Sequence, residues 1–171
     1  MDPPQAKHRR LPEVMLGTVK ERIRKLLIAQ KATVLVSSAA CGADLLALEA
    51  AGELRLRRHV VLPFPRHVFK KVSVVDRPGD WGERYDQIID EVQRDGKVLE
   101  LNYSEDDQTA YSATNIAVLS EATRIAGEMN EPVSAVVVWD RKSRGQDDYT
   151  EQFQKHARER HLLVTEVQTI E

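Results

Sequence analysis

The sequence predicts an α/β protein, a Rossmann-like three-layer sandwich with a mostly parallel sheet of about five strands. Two observations lead to this prediction. Short apolar runs without polar alternation, such as residues 33–37 and 133–140, are typical of strands buried on both faces. Segments of helical length with apolar residues at helical spacing separate these runs. Helical connections between buried strands imply parallel pairing, with helices covering both faces of the sheet.

The first part of the chain contains two helices and two strands. Glu13–Gln30 is predicted as a helix because its apolar residues recur on one face. Thr33–Ser37 (TVLVS) is a short β-branched run and is predicted as a buried strand. Asp44–Leu54 follows as a helix with a leucine-alanine face. His59–Phe64 (HVVLPF) repeats the strand pattern and is stopped by its prolines.

The middle of the chain is predicted to hold two helices and one strand. Arg66–Lys71 is a short helix, and Trp81–Arg94 is a longer one with a clear apolar face. Lys97–Leu101 is a third strand with a weaker pattern.

The last part begins with a long helix, Tyr111–Met129, and Pro132 separates it from the next strand. That strand, Val133–Asp140 (VSAVVVWD), is the most hydrophobic of the chain. A helix over Asp148–Arg160 and a closing strand over Leu162–Val167 complete the alternation.

The length of 171 residues predicts one domain. Residues 1–12 contain three of the seven prolines and a basic cluster, so they are expected to be a flexible lead-in to a single domain over residues 13–171. A doubly wound fold usually opens with a strand, yet the first predicted element is a helix. The sequence therefore indicates that a first strand is missing.

Composition excludes several classes of function. The chain has 25 basic and 27 acidic residues and a net charge of −2, so no broad positive field is available for direct nucleic-acid binding. No apolar run approaches the roughly 20 residues of a membrane span, and no secretory signal is visible, so we expect no membrane partner and a cytoplasmic protein. The single cysteine, Cys41, excludes an internal disulfide and a cysteine-based zinc site.

Motifs for classical chemistry are also missing. The sequence contains no GxGxxG, GxxxxGK[ST], GxSxG or HExxH, and its histidines lack ligand-type spacing. We therefore expect no metal site and no cofactor.

The candidate binding residues follow the predicted strands, because ligands of open parallel sheets bind at the carboxyl ends of the strands. After the first strand, small residues would let backbone N–H groups approach a phosphate at the start of the next helix. The candidates in this turn are Ser38, Ala39, Cys41, Gly42 and Asp44. The alternative is a tight turn in which Asp44 only caps the helix.

Basic and aromatic side chains follow the second strand. Arg66 could pair with a phosphate, or it is a solvated surface charge. Trp81 and Arg84 lie one helical turn apart and could form a wall of the pocket, or they pack their helix against the sheet.

The later strand ends supply candidates for a base or a ribose. Tyr111 and Asn115 begin the long helix and could contact a base. Trp139 and Asp140 end the most hydrophobic strand, where a carboxylate can bind ribose hydroxyls or cap a turn.

Several strings of the sequence together resemble the SLOG superfamily of Rossmann-like domains: VSSAACGADLLALEAA, VVLPFP, SVVDRPGDWGERYDQII, the tyrosine-led helix and VVVWD. That superfamily includes the DNA-processing protein A fold and the "lonely guy" phosphoribohydrolases. The likeness covers Thr33–Glu166 and is greatest to bacterial SLOG-type domains of signalling and defence proteins.

The resemblance implies a phosphate loop, since the family's GGxxGxD pattern falls on Ser38–Asp44 with both leading glycines replaced by small residues. The hydrolase motif PGGxGTxxE is not matched in the corresponding stretch, Ser143–Thr150, and Phe153 stands where that motif has glutamate. The nearby acids Asp147, Asp148 and Glu151 are the remaining catalytic candidates, or they favour the start of the last helix. The family's first strand is also not visible, so the chain is either a shortened member or a part of a longer protein.

These observations favour a sensor domain that binds a nucleotide-derived small molecule, with its phosphate at the Ser38–Asp44 loop. Such a domain would act as a homodimer or as a tethered signalling domain. The first alternative is a nucleotide phosphoribohydrolase or N-glycosidase. The second is an oligomerisation scaffold with a vestigial pocket.

Overall fold

The protein has the predicted Rossmann-like α/β fold. A computed structural model describes residues 10–145 and 148–170. The predicted strands and helices are all present, and their ends differ from prediction by at most two residues except at the first helix, which is preceded by a 3₁₀ turn over Glu13–Met15. The strands are β1 (Val34–Ser37), β2 (Arg57–Leu62), β3 (Lys97–Glu100), β4 (Ser134–Trp139) and β5 (Leu163–Gln168). The helices are α1 (Leu16–Ala29), α2 (Ala43–Glu53), α3 (Arg66–Ser73), α4 (Trp81–Asp95), α5 (Ala110–Met129) and α6 (Tyr149–Glu159).

The five strands form two parallel ladders. In the first, β1 pairs with β2 and β2 pairs with β3; in the second, β4 pairs with β5. Within the described residues no backbone pairing joins β1 to β4. The sheet expected as one layer is therefore interrupted in its middle.

Both ladders run in the same direction, as bonds between their amino ends indicate. Thr33, just before β1, donates its hydroxyl to the Glu131 carboxylate, just before β4, at 2.6 Å. Gln30, at the end of α1, accepts from the Ser134 hydroxyl at 2.8 Å and donates to Thr165 of β5 at 3.2 Å. All five carboxyl ends consequently lie at one edge of the molecule.

The helices cover the two faces of the sheet in separate groups. Helices α1, α2 and α4 pack against one another on one face, whereas α5 and α6 pack together on the other. The main core lies under the first group and includes Phe64, Phe69, Trp81 and Tyr85. Within the described residues, no helix combines the length and the hydropathy that a bilayer span requires.

The two strands that border the interruption are less buried than the sequence predicts. All four residues of β1 are half-buried, whereas five of the six residues of β2 are buried. In β4 only Ala135 and Val137 are buried. The expected burial on both faces is wrong for β1 because one of its edges has no neighbouring strand.

An ion-pair cluster holds α5 over β2. Glu121 of α5 is 9% exposed and accepts hydrogen bonds from Arg124 at 2.9 Å and from His59 Nδ1 of β2 at 2.9 Å. The Arg124 hydrogen bonds hold the pKa of Glu121 at about 2, below its usual 4.5, although partial burial acts in the opposite direction. The position of α5 over the sheet therefore depends on an ionised Glu121.

Replacing Glu121 with Gln should lower the free energy of unfolding by about 2 kcal/mol at pH 7. A carboxylate whose pKa is lowered by folding stabilises the protein above its unfolded pKa, and that stabilisation disappears as the pH falls through the folded value. The difference between the wild type and Glu121→Gln should thus shrink as the pH falls from about 4.5 to 2. Urea unfolding at several pH values measures it.

The matched control is Glu128→Gln, since Glu128 is an exposed partner of the same Arg124. Its effect at pH 7 should stay below about 0.5 kcal/mol. Equal effects of the two substitutions would contradict the anchoring role of Glu121.

Candidate functional site

A large cleft occupies the interruption between β1 and β4. It has a volume of about 1040 Å³ and is lined by both strands, by α1 on one face and by α5 on the other. We call this space the central cleft. Its carboxyl end, here named the mouth, is lined by Arg10, which precedes α1, and by loop and helix residues after β1, β3, β4 and β5: Ser38, Ala40, Cys41, Asp44, Tyr111, Asn115, Arg144, Asp148, Tyr149, Thr150 and Thr169.

The turn after β1 is shaped by its glycine. Gly42 precedes α2 with φ 94° and ψ −121°, a conformation that side-chain-bearing residues rarely adopt. Its carbonyl accepts the first helical bond from Leu46 N at 3.0 Å. A bulky replacement at Gly42 would therefore strain the backbone itself, apart from any effect on a ligand.

The predicted residues of this turn divide into lining and buried positions. Ser38, Cys41 and Asp44 line the cleft, whereas Ala39 packs in the main core and Gly42 is buried. The start of α2 thus faces the mouth, as the phosphate hypothesis requires. This position of the helix start does not test phosphate binding, which stays a prediction.

Burial changes the proton affinity of two groups in the turn. Burial raises the pKa of Asp44, although a hydrogen bond from Ala40 N at 3.2 Å acts in the opposite direction. Burial also raises the pKa of the Cys41 thiol. Cys41 is therefore held as a neutral thiol, which makes it a poor nucleophile.

Asp148 is the N-cap of α6. It is 2% exposed, and its carboxylate accepts from the backbone N–H groups of Thr150 and Glu151, both at 3.1 Å, and of Arg144 at 2.9 Å. The Arg10 guanidinium donates to the same carboxylate at 2.6 Å. Burial alone would raise the pKa of Asp148, but these donors more than offset it and the pKa is lowered.

Asp140 lies beside Asp148 and shares its partners. The Asp140 carboxylate accepts from the Arg144 guanidinium at 2.9 Å and from Lys142 N at 3.2 Å, and Arg10 Nε lies 3.7 Å away. Arg10 and Arg144 also line the cleft. None of these contacts is with the Ser38–Asp44 turn, so the placement of Asp140 beside that turn stays a prediction.

The sequence reasoning missed Arg10. Residues 1–12 were expected to be a flexible lead-in, whereas Arg10 contacts both acids and Leu11 is 3% exposed in the core. The basic cluster of residues 7–10 was visible in the sequence. A single arginine that crosses to a partner 138 positions away leaves no local pattern.

Aromatic rings gather on the α5 side of the mouth. The Tyr111 ring lies 5.3 Å from that of Tyr149 and 5.7 Å, edge-on, from that of Phe64. Its hydroxyl is 2.8 Å from that of Ser73. Asn115 donates its amide to the Tyr149 carbonyl at 2.9 Å. Tyr111 and Asn115 thus both contact Tyr149, and their contact with a base stays a prediction.

Three other predicted residues lie away from the cleft. Arg66 is exposed and contacts Glu100, its backbone N–H at 3.1 Å and its Nε at 3.4 Å. Trp81 is buried in the main core, and Arg84 stacks on it at 4.3 Å while donating to Glu49 at 2.6 Å. The sequence left two alternatives for Trp81 and Arg84, a wall of the pocket or packing of their helix. The structure shows packing of α4.

The remaining acids and Trp139 have separate environments. Glu151 is exposed and accepts from the Ser143 hydroxyl. Asp147 falls outside the described residues. Phe153 lines the cleft. Trp139 ends β4, and its buried indole Nε1 has no hydrogen-bond partner among the described residues.

A second buried polar group faces the site without a partner. Thr169 is 1% exposed and lines the cleft, and its hydroxyl has no hydrogen-bond partner within the described part of the chain. A buried hydroxyl of this kind normally has one. The mouth therefore contains a polar position that a bound molecule would satisfy.

Among the residues that the structure describes, no cluster of three or more His, Cys, Asp or Glu could hold a metal ion.

No family model and no curated protein matches the chain. Among solved structures, the chain is similar to DNA processing protein A (DprA) from Streptococcus pneumoniae, with 16% identity and a TM-score of 0.46. The alignment covers 94% of this chain and 56% of that one, so the chain spans little more than half the length of DprA. At this identity and TM-score the likeness says nothing about function.

The role of Asp148 as a cap gives a stability prediction. Asp148→Ala should lower the free energy of unfolding by about 2 kcal/mol, because α6 loses its cap and Arg10 loses an ion-pair partner. Asp148→Asn keeps a capping oxygen and should cost about half as much. Urea denaturation of both variants measures this.

Glu151→Gln is the control, because Glu151 is exposed and its substitution should change stability by less than about 0.5 kcal/mol. A stable Asp148→Ala protein would contradict the capping role.

Proposed function

We propose that this protein is a binding domain for a nucleotide-derived small molecule. The phosphate lies at the Ser38–Asp44 turn, and the base lies near Tyr111 and Asn115 in the mouth. One observation carries the proposal: a glycine-shaped turn, a helix start, two arginines and an aromatic pair meet at the carboxyl end of an interrupted parallel sheet. The resemblance of the sequence to SLOG-type domains agrees with it.

The electrostatics of the mouth support an anionic ligand. Burial raises the pKa of Asp44, which lies beside the turn. Asp140 and Asp148 are neutralised by Arg10 and Arg144. The positive end of the α2 dipole then acts on a phosphate with little opposition.

The residues of the mouth support binding without turnover. Cleavage of an N-glycosidic bond needs a carboxylate that is free to activate water or to stabilise developing charge. Asp148 uses its carboxylate oxygens for the cap of α6 and for Arg10, and Phe153 offers no acid. Glu151 lies on the exposed side of α6 and accepts from Ser143.

Calorimetric titration with nucleoside monophosphates, dinucleotides, free nucleosides and inorganic phosphate tests the proposal. Phosphorylated ligands should bind more tightly than the matching nucleosides by at least about tenfold, which corresponds to 1.4 kcal/mol. Ser38→Asp should lower the affinity for the phosphorylated ligand by a similar factor, because it places a negative charge at the turn.

Ser38→Asn is the matched control, since asparagine has the shape of aspartate without its charge, and it should retain affinity within about threefold. If no phosphorylated ligand binds at millimolar concentration, the proposal is wrong. Chromatography of the same mixtures detects free base. Base release that disappears in Asp148→Ala or Glu151→Ala would instead identify an enzyme.

A further inference from the structure

Thr169 follows the last residue of β5, and hydrogen bonds hold the backbone around it. Its N–H donates to the Trp139 carbonyl at 3.2 Å, which continues the β4–β5 ladder by one step. Arg22 of α1 donates to the carbonyl of the preceding residue, Gln168, at 2.8 Å. Because these bonds fix the backbone on this side of the mouth, the side chain of Thr169 has a defined direction.

The side chain of Thr169 faces the α1 side of the second ladder. Side chains of a strand alternate between its two faces. Thr165 accepts from Gln30 of α1 at 3.2 Å, whereas Glu166 accepts from a glutamine of α6 at 3.0 Å. Thr169 has the same parity as Thr165, and it also lines the central cleft. Its hydroxyl therefore lies on the α1 side of the mouth.

The hydroxyl of Thr169 is buried without a hydrogen bond. The residue is 1% exposed, and the hydroxyl has no hydrogen-bond partner among the described residues. The ladder brings it next to Asp140, which follows β4, but that carboxylate already accepts from Arg144 at 2.9 Å and from Lys142 N at 3.2 Å. A buried hydroxyl without a partner lowers stability, whereas a valine of the same shape would not. The free protein thus keeps a polar group that only a bound molecule would satisfy.

Thr169 and the proposed phosphate position lie on opposite sides of the central cleft. The Ser38–Asp44 turn follows β1 of the first ladder, whereas Thr169 follows β5 of the second. Neighbouring strands are about 4.8 Å apart, and β4 lies between the cleft and β5, so the ends of β1 and β5 are separated by more than about 10 Å. A phosphate bound at the turn does not reach Thr169, but another part of the same molecule can.

We propose that the Thr169 hydroxyl binds an uncharged polar group in the nucleoside part of the ligand, an inference that rests on the nucleotide binding proposed above. A threonine hydroxyl both donates and accepts, so it can bind a ribose hydroxyl or the polar edge of a base. The turn then recognises the phosphate, and Thr169 recognises the nucleoside. Thr169 is a specificity-determining residue at a cost to the stability of the free protein.

Thr169→Val tests this inference because it removes the hydroxyl and keeps the shape of the side chain. In urea denaturation of the free protein, its midpoint should equal or exceed that of the wild type, since no hydrogen bond is lost. In calorimetric titration with ribonucleoside monophosphates and the matching nucleosides, its affinity should fall by at least about tenfold. Nucleotide and nucleoside should lose the same factor, because the phosphate is not involved.

Two variants serve as matched controls. Thr165→Val removes a hydroxyl from the same face of the same strand, but that hydroxyl is bonded to Gln30. Its urea midpoint should fall while its affinity stays within about threefold of the wild type. Thr169→Ser keeps the hydroxyl, so it should retain affinity within about threefold. Only Thr169→Val should combine unchanged or higher stability with weaker binding.

Deoxynucleotides that lack the 2′ or the 3′ hydroxyl distinguish the two partners of Thr169. If the wild type binds ribonucleotides more tightly than one of these and Thr169→Val does not, the partner is a ribose hydroxyl. If Thr169→Val instead changes the order of affinity among the bases, the partner is a base edge. Both results support the inference.

Two results would overturn the inference while leaving the proposed function intact. One is equal affinity of the wild type and Thr169→Val for every probe. The other is a lower urea midpoint of Thr169→Val, because the hydroxyl would then have a partner inside the free protein. Absence of binding of any probe to the wild type would contradict the proposed function and this inference together, so the two failures are distinguishable.

Discussion

The structure depends on the separation of two strand edges, those of β1 and β4, which face each other without backbone pairing among the described residues. Backbone N–H and C=O groups need partners, and in the middle of a parallel sheet those partners are normally neighbouring strands. Here β1 and β4 each pair on one side only. The half-buried residues of β1, the depth of the central cleft and the position of the mouth follow from this separation. Gln30 at the end of α1 bonds to both strands of the second ladder, whereas the Glu121 cluster fixes α5 to β2 of the first ladder.

The charged side chains at the mouth form ion pairs with one another around the N-cap of α6. Two arginines and two aspartates neutralise one another, and three backbone N–H groups bind Asp148. This arrangement fixes the loop after β4 relative to Arg10, which lies far away in sequence. The acids are therefore committed to structure. In the β1–α2 turn the backbone N–H groups of Ala40 and Cys41 are also bonded, to the Asp44 carboxylate and the Ser73 carbonyl, whereas the Thr169 hydroxyl has no partner among the described residues.

Much of the fold could be predicted from the sequence because its signals are local. Apolar spacing located every helix, and unalternating apolar runs located the strands. The same runs also predicted burial on both faces, which is wrong for β1. Burial depends on a neighbour, and a neighbour's absence leaves no trace in the strand's own residues.

The site was predicted less well because side-chain partners are distant in sequence. Tyr111, Asn115 and the Ser38–Asp44 turn do meet at the mouth, since strand ends of a parallel sheet always do. Trp81 and Arg84 also follow a strand, but the intervening α3 carries them to the far side of α2, where Arg84 binds Glu49. Arg10 was not predicted as a site residue because its two acidic partners follow β4, far along the chain.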